Sequence, residues 1–234
     1  MKNKMETDLI REIQKLKLSP ISQIVKERMH EFQQAAKSNA DIFSELCFCI
    51  LTANYTAEGG IRIQKALGSK FHKLTEKQLA SRLRSLGHRF PNMRAKFIFL
   101  ARQHIGVIGS KLKVCSAMEI RQWLAENVLG LGYKEASHFL RNIGMTDLAI
   151  IDFHIIDILA RNRIIQKPKS DFSKGAPIRK IPAMSRPTLR SKTLTKKRYL
   201  EIESVLRKLA NKTRLSLAEL DLYLWYMETG KVLK

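Results

Sequence analysis

The amino-acid sequence predicts an all-α fold of about ten short helices with almost no sheet. Apolar residues recur at helical spacing through most of the chain, and strand-like alternation is scarce. Representative positions are Leu9, Ile13 and Leu16, then Ile42, Phe43, Leu46, Ile50 and Leu51, then Phe97, Leu100 and Ala101. Helix-start signals separate these runs, as expected of short helices joined by turns. The signals are Ser19 followed by Pro20, Thr75 three residues before Gln78, and Ser116 three residues before Glu119.

The composition indicates a globular protein with a polyanionic partner. The chain has 234 residues, enough for one large or two small domains, and 44% of them are hydrophobic, enough for an ordinary core. Lysine and arginine number 43 against 21 acidic residues, so the formal net charge is +22. This charge favours a nucleic acid as the partner, although a ribosomal or membrane-surface protein could share it.

The N-terminus and the cysteines indicate the compartment. Acidic residues interrupt the first apolar pattern, and no run of about 18 apolar residues follows. We therefore expect a soluble, cytoplasmic protein with no membrane association. Cys47, Cys49 and Cys115 lack the paired spacing of zinc or iron–sulfur ligands, and their odd number argues against a disulfide framework. They are expected to be reduced thiols that pack as small core residues.

One interval, residues 166–193, breaks the helical pattern. It contains four prolines, many lysines and arginines, and a single acidic residue, Asp171. Such a tract buries little apolar surface and repels itself, which predicts a loop or linker. It could be a basic arm that follows DNA or a tolerated insertion. Helical patterns return in residues 194–234, and the last one, "SLAELDLYLWYMETGKVLK", is unusually aromatic.

A helix-hairpin-helix is predicted at about residues 116–144. The segments "SAMEIRQWLAENVLG" and "KEASHFLRNIG" are amphipathic helices, and the tight turn "LGLGY" joins them. Gly130 and Gly132 are expected to adopt positive φ and to let the backbone approach another surface closely. The second helix then presents unpaired first-turn amides, which suit a phosphate oxygen.

Lys134 and Asp152 are the candidate chemical groups. Lys134 lies in the first turn of the second hairpin helix, where the helix dipole and any desolvation both favour the neutral, nucleophilic amine. Asp152 follows four apolar residues at the expected N-cap of the next helix. The alternative roles are a surface lysine that contacts phosphate and a simple helix cap. Together, however, a nucleophile and a nearby carboxylate suit cleavage of an N-glycosidic bond.

The segment "LGLGYKEASHFLRNIGMTDLAIIDFHI" resembles the helix-hairpin-helix DNA glycosylase superfamily, whose lyase members carry the hairpin lysine and the downstream aspartate. Together with "ILTANYTAEGGIRIQKAL", "LGHRFPNMRAKFI" and the C-terminal helix, the chain resembles the type 2 8-oxoguanine DNA glycosylase/lyases. The resemblance spans nearly the whole chain except the interval around residues 168–192. It implies a two-lobed helical fold with the active site in a cleft between the lobes.

The resemblance also implies a mechanism. Lys134 would attack C1′ of the damaged nucleotide and form a Schiff base that permits strand cleavage by β-elimination. Asp152 would stabilise the oxocarbenium-like charge and help to move protons. The substrate would be double-stranded DNA that contains 8-oxoguanine or an abasic site, and the enzyme would be a monomer that acts at the nucleoid without metal or organic cofactor.

Further residues are assigned by the same resemblance. Asn54 would fill the hole left by the extruded base, and Phe90, which follows Arg89, would act as a wedge beside the opposite base. These three residues join Gly130 and Gly132 as the expected DNA-binding set. Trp225 would offer a stacking face to the base, and Lys234 would close the base pocket. The alternatives for Phe90 and Trp225 are ordinary packing contacts.

The expected domain organisation follows. Residues 1–50 pack with the C-terminal lobe, 51–165 form the lobe with the hairpin, 166–193 form the basic loop, and 194–234 complete the base pocket. No cysteine follows Cys115, which excludes the iron–sulfur cluster of endonuclease III relatives, and alkyladenine-type relatives lack the hairpin lysine. A glycosylase/lyase for another damaged base and a non-catalytic DNA-binding module remain the alternatives.

Overall fold

In the computed structural model of the chain, residues 2–166, 172–174 and 192–234 are described. The α-helices in these ranges are α1 (Lys2–Lys17), α2 (Ile21–Gln34), α3 (Asn39–Thr52), α4 (Ala57–Leu67), α5 (Glu76–Ser85), α6 (Pro91–Ala101), α7 (Ile105–Val114), α8 (Ala117–Asn127), α9 (Tyr133–Asn142), α10 (Phe153–Arg161), α11 (Lys196–Thr213) and α12 (Leu217–Thr229). Two short 3₁₀ helices, Gly68–His72 and Arg102–His104, follow α4 and α6. The predicted all-α class is confirmed.

A short strand pair accompanies the helices. Strand β1 (Phe172–Lys174) pairs antiparallel with β2 (Lys192–Leu194), and Lys174 lies opposite Lys192. The rest of the predicted basic loop, apart from Gln166, lies outside the described residues. Among the described helices, none combines the length and apolarity that a membrane span requires.

The helix starts follow local side-chain chemistry. Thr75 Oγ1 accepts from the backbone N–H of Gln78 at 3.2 Å, and Gln78 Oε1 accepts from the N–H of Thr75 at 2.9 Å. Ser116 and Glu119 form the same reciprocal capping box at the start of α8. Ser19 differs from its predicted role, since Pro20 is the N-cap of α2, and the Ser19 hydroxyl accepts from the N–H of Ile21 at 3.3 Å instead.

Two main hydrophobic cores divide the helices into two lobes. The first core is built by α3 to α9 and ends at Leu148, and we call these helices the first lobe. The second core joins α1, α10, α11 and α12, and a small cluster of Val25, Phe32, Leu222 and Tyr223 adds α2 to the same side. We call these helices the second lobe.

The lobe boundaries differ from the predicted ones at residues 50 and 165. Helix α3 belongs to the first core because its buried residues, among them Phe43, Leu46 and Phe48, pack in that cluster. Helix α10 belongs to the second core through Ile155, Ile156, Ile158 and Leu159. The chain therefore crosses from the first core to the second between Leu148 and Ala149, just before Asp152.

Candidate active site between the two lobes

The hairpin turn between α8 and α9 depends on one glycine more than on the other. Gly130 has a φ of +89°, and a Cβ there would lie 2.6 Å from Cδ2 of Phe97. Both the conformation and the close approach therefore require glycine. Gly132 corrects the prediction, because it is the extended N-cap of α9 with a φ of −101°. Its N–H donates to Oε2 of Glu135 at 3.1 Å.

Lys134 lies in the first turn of α9, as predicted. Its side chain is 26% exposed, and Nζ lies 3.9 Å from Oε1 of Glu135, which is too long for a hydrogen bond. Because the N-cap is a glycine, no side chain at that position caps the first-turn amides. The start of α9 thus combines backbone donors with an amine that Glu135 does not hold by a hydrogen bond.

Asp152 is the N-cap of α10, also as predicted. Its Oδ1 accepts from the backbone N–H of Ile155 at 3.0 Å, which holds the carboxylate at the start of the helix. The residue is half-buried. The cap role and a chemical role are compatible, because the cap bond uses only one of the two carboxylate oxygens.

Asp221 of α12 is a further charged group of the site, and the sequence analysis did not identify it. Its Oδ2 lies 3.5 Å from Nη1 of Arg141 on α9. Burial raises the pKa of Asp221 to about 6, while the positive charge of Arg141 opposes that shift. The charges of Asp152 and Lys134 also act on this pKa, Asp152 raising it and Lys134 lowering it. Both predicted chemical groups are therefore close enough to Asp221 to influence its charge.

His138 shares a face of α9 with Lys134 and Arg141, because the three are spaced by four and three residues. Its ring is buried and packs edge-on against Phe48, with 5.6 Å between the ring centroids. Burial, followed by the positive charges of Arg141, Lys134 and Lys234, lowers the pKa of His138 well below its usual range. The imidazole is therefore neutral and adds no cation to the site.

The C-terminal residue Lys234 reaches the first lobe. Its Nζ lies 2.7 Å from Oε1 of Glu45 on α3 and 4.8 Å from the ring centroid of Phe48. Glu45 is buried and also accepts from Nε2 of Gln64 at 3.0 Å and from Nδ2 of Asn142 at 3.1 Å. This carboxylate, which the sequence analysis missed, fixes the end of the chain against the first lobe.

The tail that carries Lys234 spans both lobes. It begins at Gly230, the left-handed C-cap of α12, and the side chain of Val232 packs against the small cluster around α2. Lys231 makes a second, exposed ion pair with Glu58 of α4, with 2.8 Å between Nζ and Oε1. A helix of the second lobe is thus connected through the tail to α3 and α4 of the first.

Trp225 lies one turn after Asp221 on α12, on the same face. Its indole N–H is buried and has no hydrogen-bond partner among the described residues. The indole ring packs edge-on against the ring of His154, with 4.9 Å between the ring centroids. The centroid of the His154 ring lies 3.9 Å from that of Phe153. Phe153 is 65% exposed although it is a large apolar residue. Phe153 and His154 follow Asp152 directly in the chain, so the three rings lie beside the Asp152 cap, and of them only Trp225 was predicted to contact the base.

A second group of predicted residues lies on two neighbouring loops. The loop after α3 and the loop before α6 are joined by the Tyr55 hydroxyl, which donates to the carbonyl of Gly87 at 3.1 Å. The ring of His88 also lies 3.0 Å, through Nε2, from the carbonyl of Leu51. The N–H of Phe90 donates to Nδ1 of the same ring at 2.9 Å, so the ring proton is on Nε2.

These bonds bring Asn54, Arg89 and Phe90 onto adjacent loops. Asn54 is exposed and left-handed, with a φ of +59°. Phe90 is half-buried, and the guanidinium of exposed Arg89 lies 5.1 Å from its ring centroid. The loops can present a polar side chain, a cation and an aromatic ring to one ligand, while the DNA-binding roles of these residues stay predictions.

Known proteins resemble this chain along nearly its whole length. A family model described as 8-oxoguanine DNA glycosylase matches residues 25–176. An 8-oxoguanine DNA glycosylase/AP lyase of Korarchaeum cryptofilum is 44% identical over 229 residues, 97% of this chain and 98% of that protein. One of Methanocaldococcus jannaschii is 46% identical over 227 residues, 97% of this chain and 99% of that protein.

Solved structures extend the similarity to the fold. The crystal structure of the Methanocaldococcus jannaschii 8-oxoguanine glycosylase/lyase with a 15mer DNA containing 8-oxoguanine matches with a TM-score of 0.84 and 45% identity, covering 97% of this chain and 99% of that one. The 8-oxoguanine DNA glycosylase of Thermotoga maritima matches with a TM-score of 0.84 and 38% identity, covering 98% and 100%. With this similarity along nearly its whole length, the chain belongs to the 8-oxoguanine DNA glycosylase family.

Proposed function

We propose that this protein excises 8-oxoguanine from double-stranded DNA and then cleaves the strand at the resulting abasic site. The observation that carries the proposal is the placement of an amine, Lys134, at the start of α9 in the first lobe and of a helix-capping carboxylate, Asp152, where the chain enters the second lobe, while Asp221 of α12 pairs with Arg141 of α9. A non-catalytic DNA-binding module would use the hairpin but has no need for two carboxylates beside a lysine.

The proposed reaction begins at the sugar. The amine of Lys134 attacks C1′, the bond from C1′ to the base breaks, and the base leaves with its bonding electrons and takes up a proton. Asp152 offsets the positive charge that develops on the sugar and accepts protons from the amine. Ring opening then leaves an imine between Lys134 and C1′.

The imine makes strand cleavage possible. Transfer of a proton from C2′ to Asp152 gives an enamine, because the imine accepts the electrons of the C–H bond, and the enamine then expels the phosphate at C3′ with its bonding electrons. Water then hydrolyses the imine and restores the free amine of Lys134.

Recognition of the base is assigned to the C-terminal part of the chain. An extruded base can stack on Trp225, whose buried indole N–H is available as a donor. Lys234, held by Glu45, would close the same pocket from the first lobe. Asn54 and Phe90 would occupy the duplex where the base has left, with Arg89 beside them.

The working form is proposed to be a monomer bound to DNA of the nucleoid. The net charge of +22 supports a sequence-independent grip on the phosphates. The first-turn amides of α9 supply a directed phosphate contact next to Lys134.

Borohydride trapping tests the proposal. The wild-type protein, incubated with an 8-oxoguanine duplex and reduced, should give a covalent protein–DNA band. Lys134→Gln should abolish the band and keep lesion binding nearly intact, whereas Lys77→Gln, at an exposed position on α5, should trap normally. If the protein is trapped only on DNA with a different damaged base, that base is the substrate instead of 8-oxoguanine. If it is trapped on no lesion, the result favours a non-catalytic DNA-binding module.

Asp152→Asn tests the second group. Base removal should slow by on the order of 10²-fold, because a neutral amide does not offset the charge on the sugar. Folding should persist, since asparagine caps a helix about as well as aspartate. Unchanged excision per folded molecule would reduce Asp152 to a helix cap.

A further inference from the structure

The segment that directly precedes Asp152 in the chain is buried and has no regular secondary structure. Ala149, Ile150 and Ile151 lie between α9 and α10, and they are 2%, 6% and 3% exposed. A buried segment outside helices and sheets still has to satisfy its backbone N–H and C=O groups. The partners of these groups therefore decide where Asp152 is held.

Two side chains of α11 bond three of these groups: the N–H and the C=O of Ala149 and the N–H of Ile151. Glu203 Oε1 accepts from the N–H of Ala149 at 2.9 Å. The hydroxyl of Tyr199 donates to the carbonyl of Ala149 at 2.6 Å, and its oxygen accepts from the N–H of Ile151 at 3.3 Å. Burial also raises the pKa of Tyr199, so the phenol keeps its proton.

The same two side chains also connect to the hairpin helices that carry Lys134. Ser137 lies on α9, three residues after Lys134, and its hydroxyl is 3.3 Å from the phenol oxygen of Tyr199. The phenol proton is engaged elsewhere, so Ser137 donates. On the other side, Glu203 forms a buried double hydrogen bond with Arg121 of α8, at 2.5 and 2.9 Å, and Arg121 donates to Ser137 at 3.4 Å.

We infer that Tyr199 and Glu203 are positioning residues that fix Asp152 relative to Lys134. The inference rests on the proposed function. Tyr199 bonds directly to both the approach to Asp152 and α9, so it sets the spacing between carboxylate and amine. A misplacement of about 1 Å in reacting groups can slow a reaction on the order of 10²-fold, which makes this spacing important for the rate.

Tyr199→Phe is the test, because it keeps the ring and removes only the hydroxyl. We expect the single-turnover rate of 8-oxoguanine excision at saturating enzyme to fall about 10-fold or more, since the carbonyl of Ala149 and the N–H of Ile151 lose their shared partner. The dissociation constant for lesion DNA should stay near the wild-type value. The control is Ile63→Val in the first core, which should lower the melting temperature and leave the excision rate unchanged.

A double-mutant cycle separates positioning from general destabilisation. If Tyr199 acts through Asp152, adding Tyr199→Phe to Asp152→Asn should slow excision little further. Ser137→Ala, which removes the bond to α9 and keeps the bonds to residues 149 and 151, should give a smaller loss. It also keeps the test usable if Tyr199→Phe folds poorly.

The outcomes distinguish the two claims. If the wild-type protein is trapped on 8-oxoguanine DNA and Tyr199→Phe excises at the wild-type rate, the positioning role is overturned and the proposed function stays intact. Losses that multiply fully in the double mutant, or an equal loss in Ile63→Val, also overturn it. A wild-type protein that traps on no damaged DNA overturns both.

Discussion

Replacing Glu45 by glutamine should impair 8-oxoguanine excision much more than cleavage at a pre-formed abasic site. Glu45 holds the Nζ of Lys234 at 2.7 Å, and only 19% of the lysine side chain and 11% of the glutamate side chain are exposed. An abasic site has no base to recognise, so Lys134 and Asp152 should still process it when the tail is released.

The size of the effect follows from the ion pair. A hydrogen bond to a charged partner contributes about 1.5–3 kcal/mol when it is shielded from water. Because Lys234 is at the end of the tail, it can move into solvent and is not left as a buried unpaired charge. The ratio of docked to free tail should therefore fall about 10–100-fold, and excision should fall by up to that factor once the free tail predominates.

The assay compares two single-turnover rates for each variant, one on an 8-oxoguanine duplex and one on an abasic duplex. Glu58→Gln is the matched control, because its pair with Lys231 joins the same tail to the same lobe but is 55–58% exposed. Exposed pairs contribute little, so both rates should stay near wild type. Thermal melts show whether loss of the bonds from Gln64 and Asn142 unfolds the Glu45 variant.

Equal losses on both substrates would refute the reasoning, because they would indicate a folding or DNA-binding defect. No loss on either would remove the docked tail from base recognition. The combination with Lys234→Gln gives a further check, since Glu45→Gln should add almost nothing once the lysine is gone.

Three further predictions concern the hairpin, the buried carboxylate and the basic tract. Gly130→Ala should lower the free energy of unfolding by about 2–4 kcal/mol in urea titrations, because the residue has a positive φ and the added Cβ would clash with Phe97. A similar decrease in Gly132→Ala, where φ is negative, would contradict this explanation. Burial raises the pKa of Asp221 to about 6, so the folded protein binds this proton more tightly than the unfolded chain. The free energy of unfolding should therefore fall as the pH rises from about 4 to about 6, by up to about 1.4 kcal/mol per pH unit. Asp221→Asn should remove this pH dependence, and a variant that keeps it would contradict the raised pKa. Residues 175–191 can be replaced by an Asn-Gly turn, because Lys174 and Lys192 pair across the flanking strands. The slope of log K for DNA binding against log salt concentration should then become shallower by about 0.9 for each phosphate that the basic loop neutralises. An unchanged slope would make the loop a passive insertion.

The parts of the site that depend on neighbours in the chain could be predicted from the sequence. Lys134 lies at the start of α9 because a glycine turn and a helical pattern surround it, and both are visible over a dozen residues. Asp152 caps α10 through the N–H of Ile155, only three residues away. The same local logic predicted the capping boxes at Thr75 and Ser116.

Local patterns also explain the errors. Gly132 was expected to have a positive φ like Gly130, but a glycine in a turn is compatible with either conformation, and the N-cap of α9 requires an extended one. Helix α3 was assigned to the C-terminal lobe, which was wrong. Its apolar residues show that the helix is buried, but they do not show which lobe buries it. Periodicity identifies a buried face and contains no information about the element that covers it.

Only the tertiary structure decided which side chains control the chemical groups. Glu45 meets Asn142 from 97 residues away, and Tyr199 meets Ala149 from 50 residues away. Asp221 looks like a polar position on an apolar helix until Arg141 is packed against it. Such pairings arise where elements far apart in the sequence bury polar groups together, and each buried group then needs a partner that only the packing can provide. The sequence by itself therefore determined the helices, the hairpin and the local positions of Lys134 and Asp152, while the tertiary packing determined which distant side chains hold them.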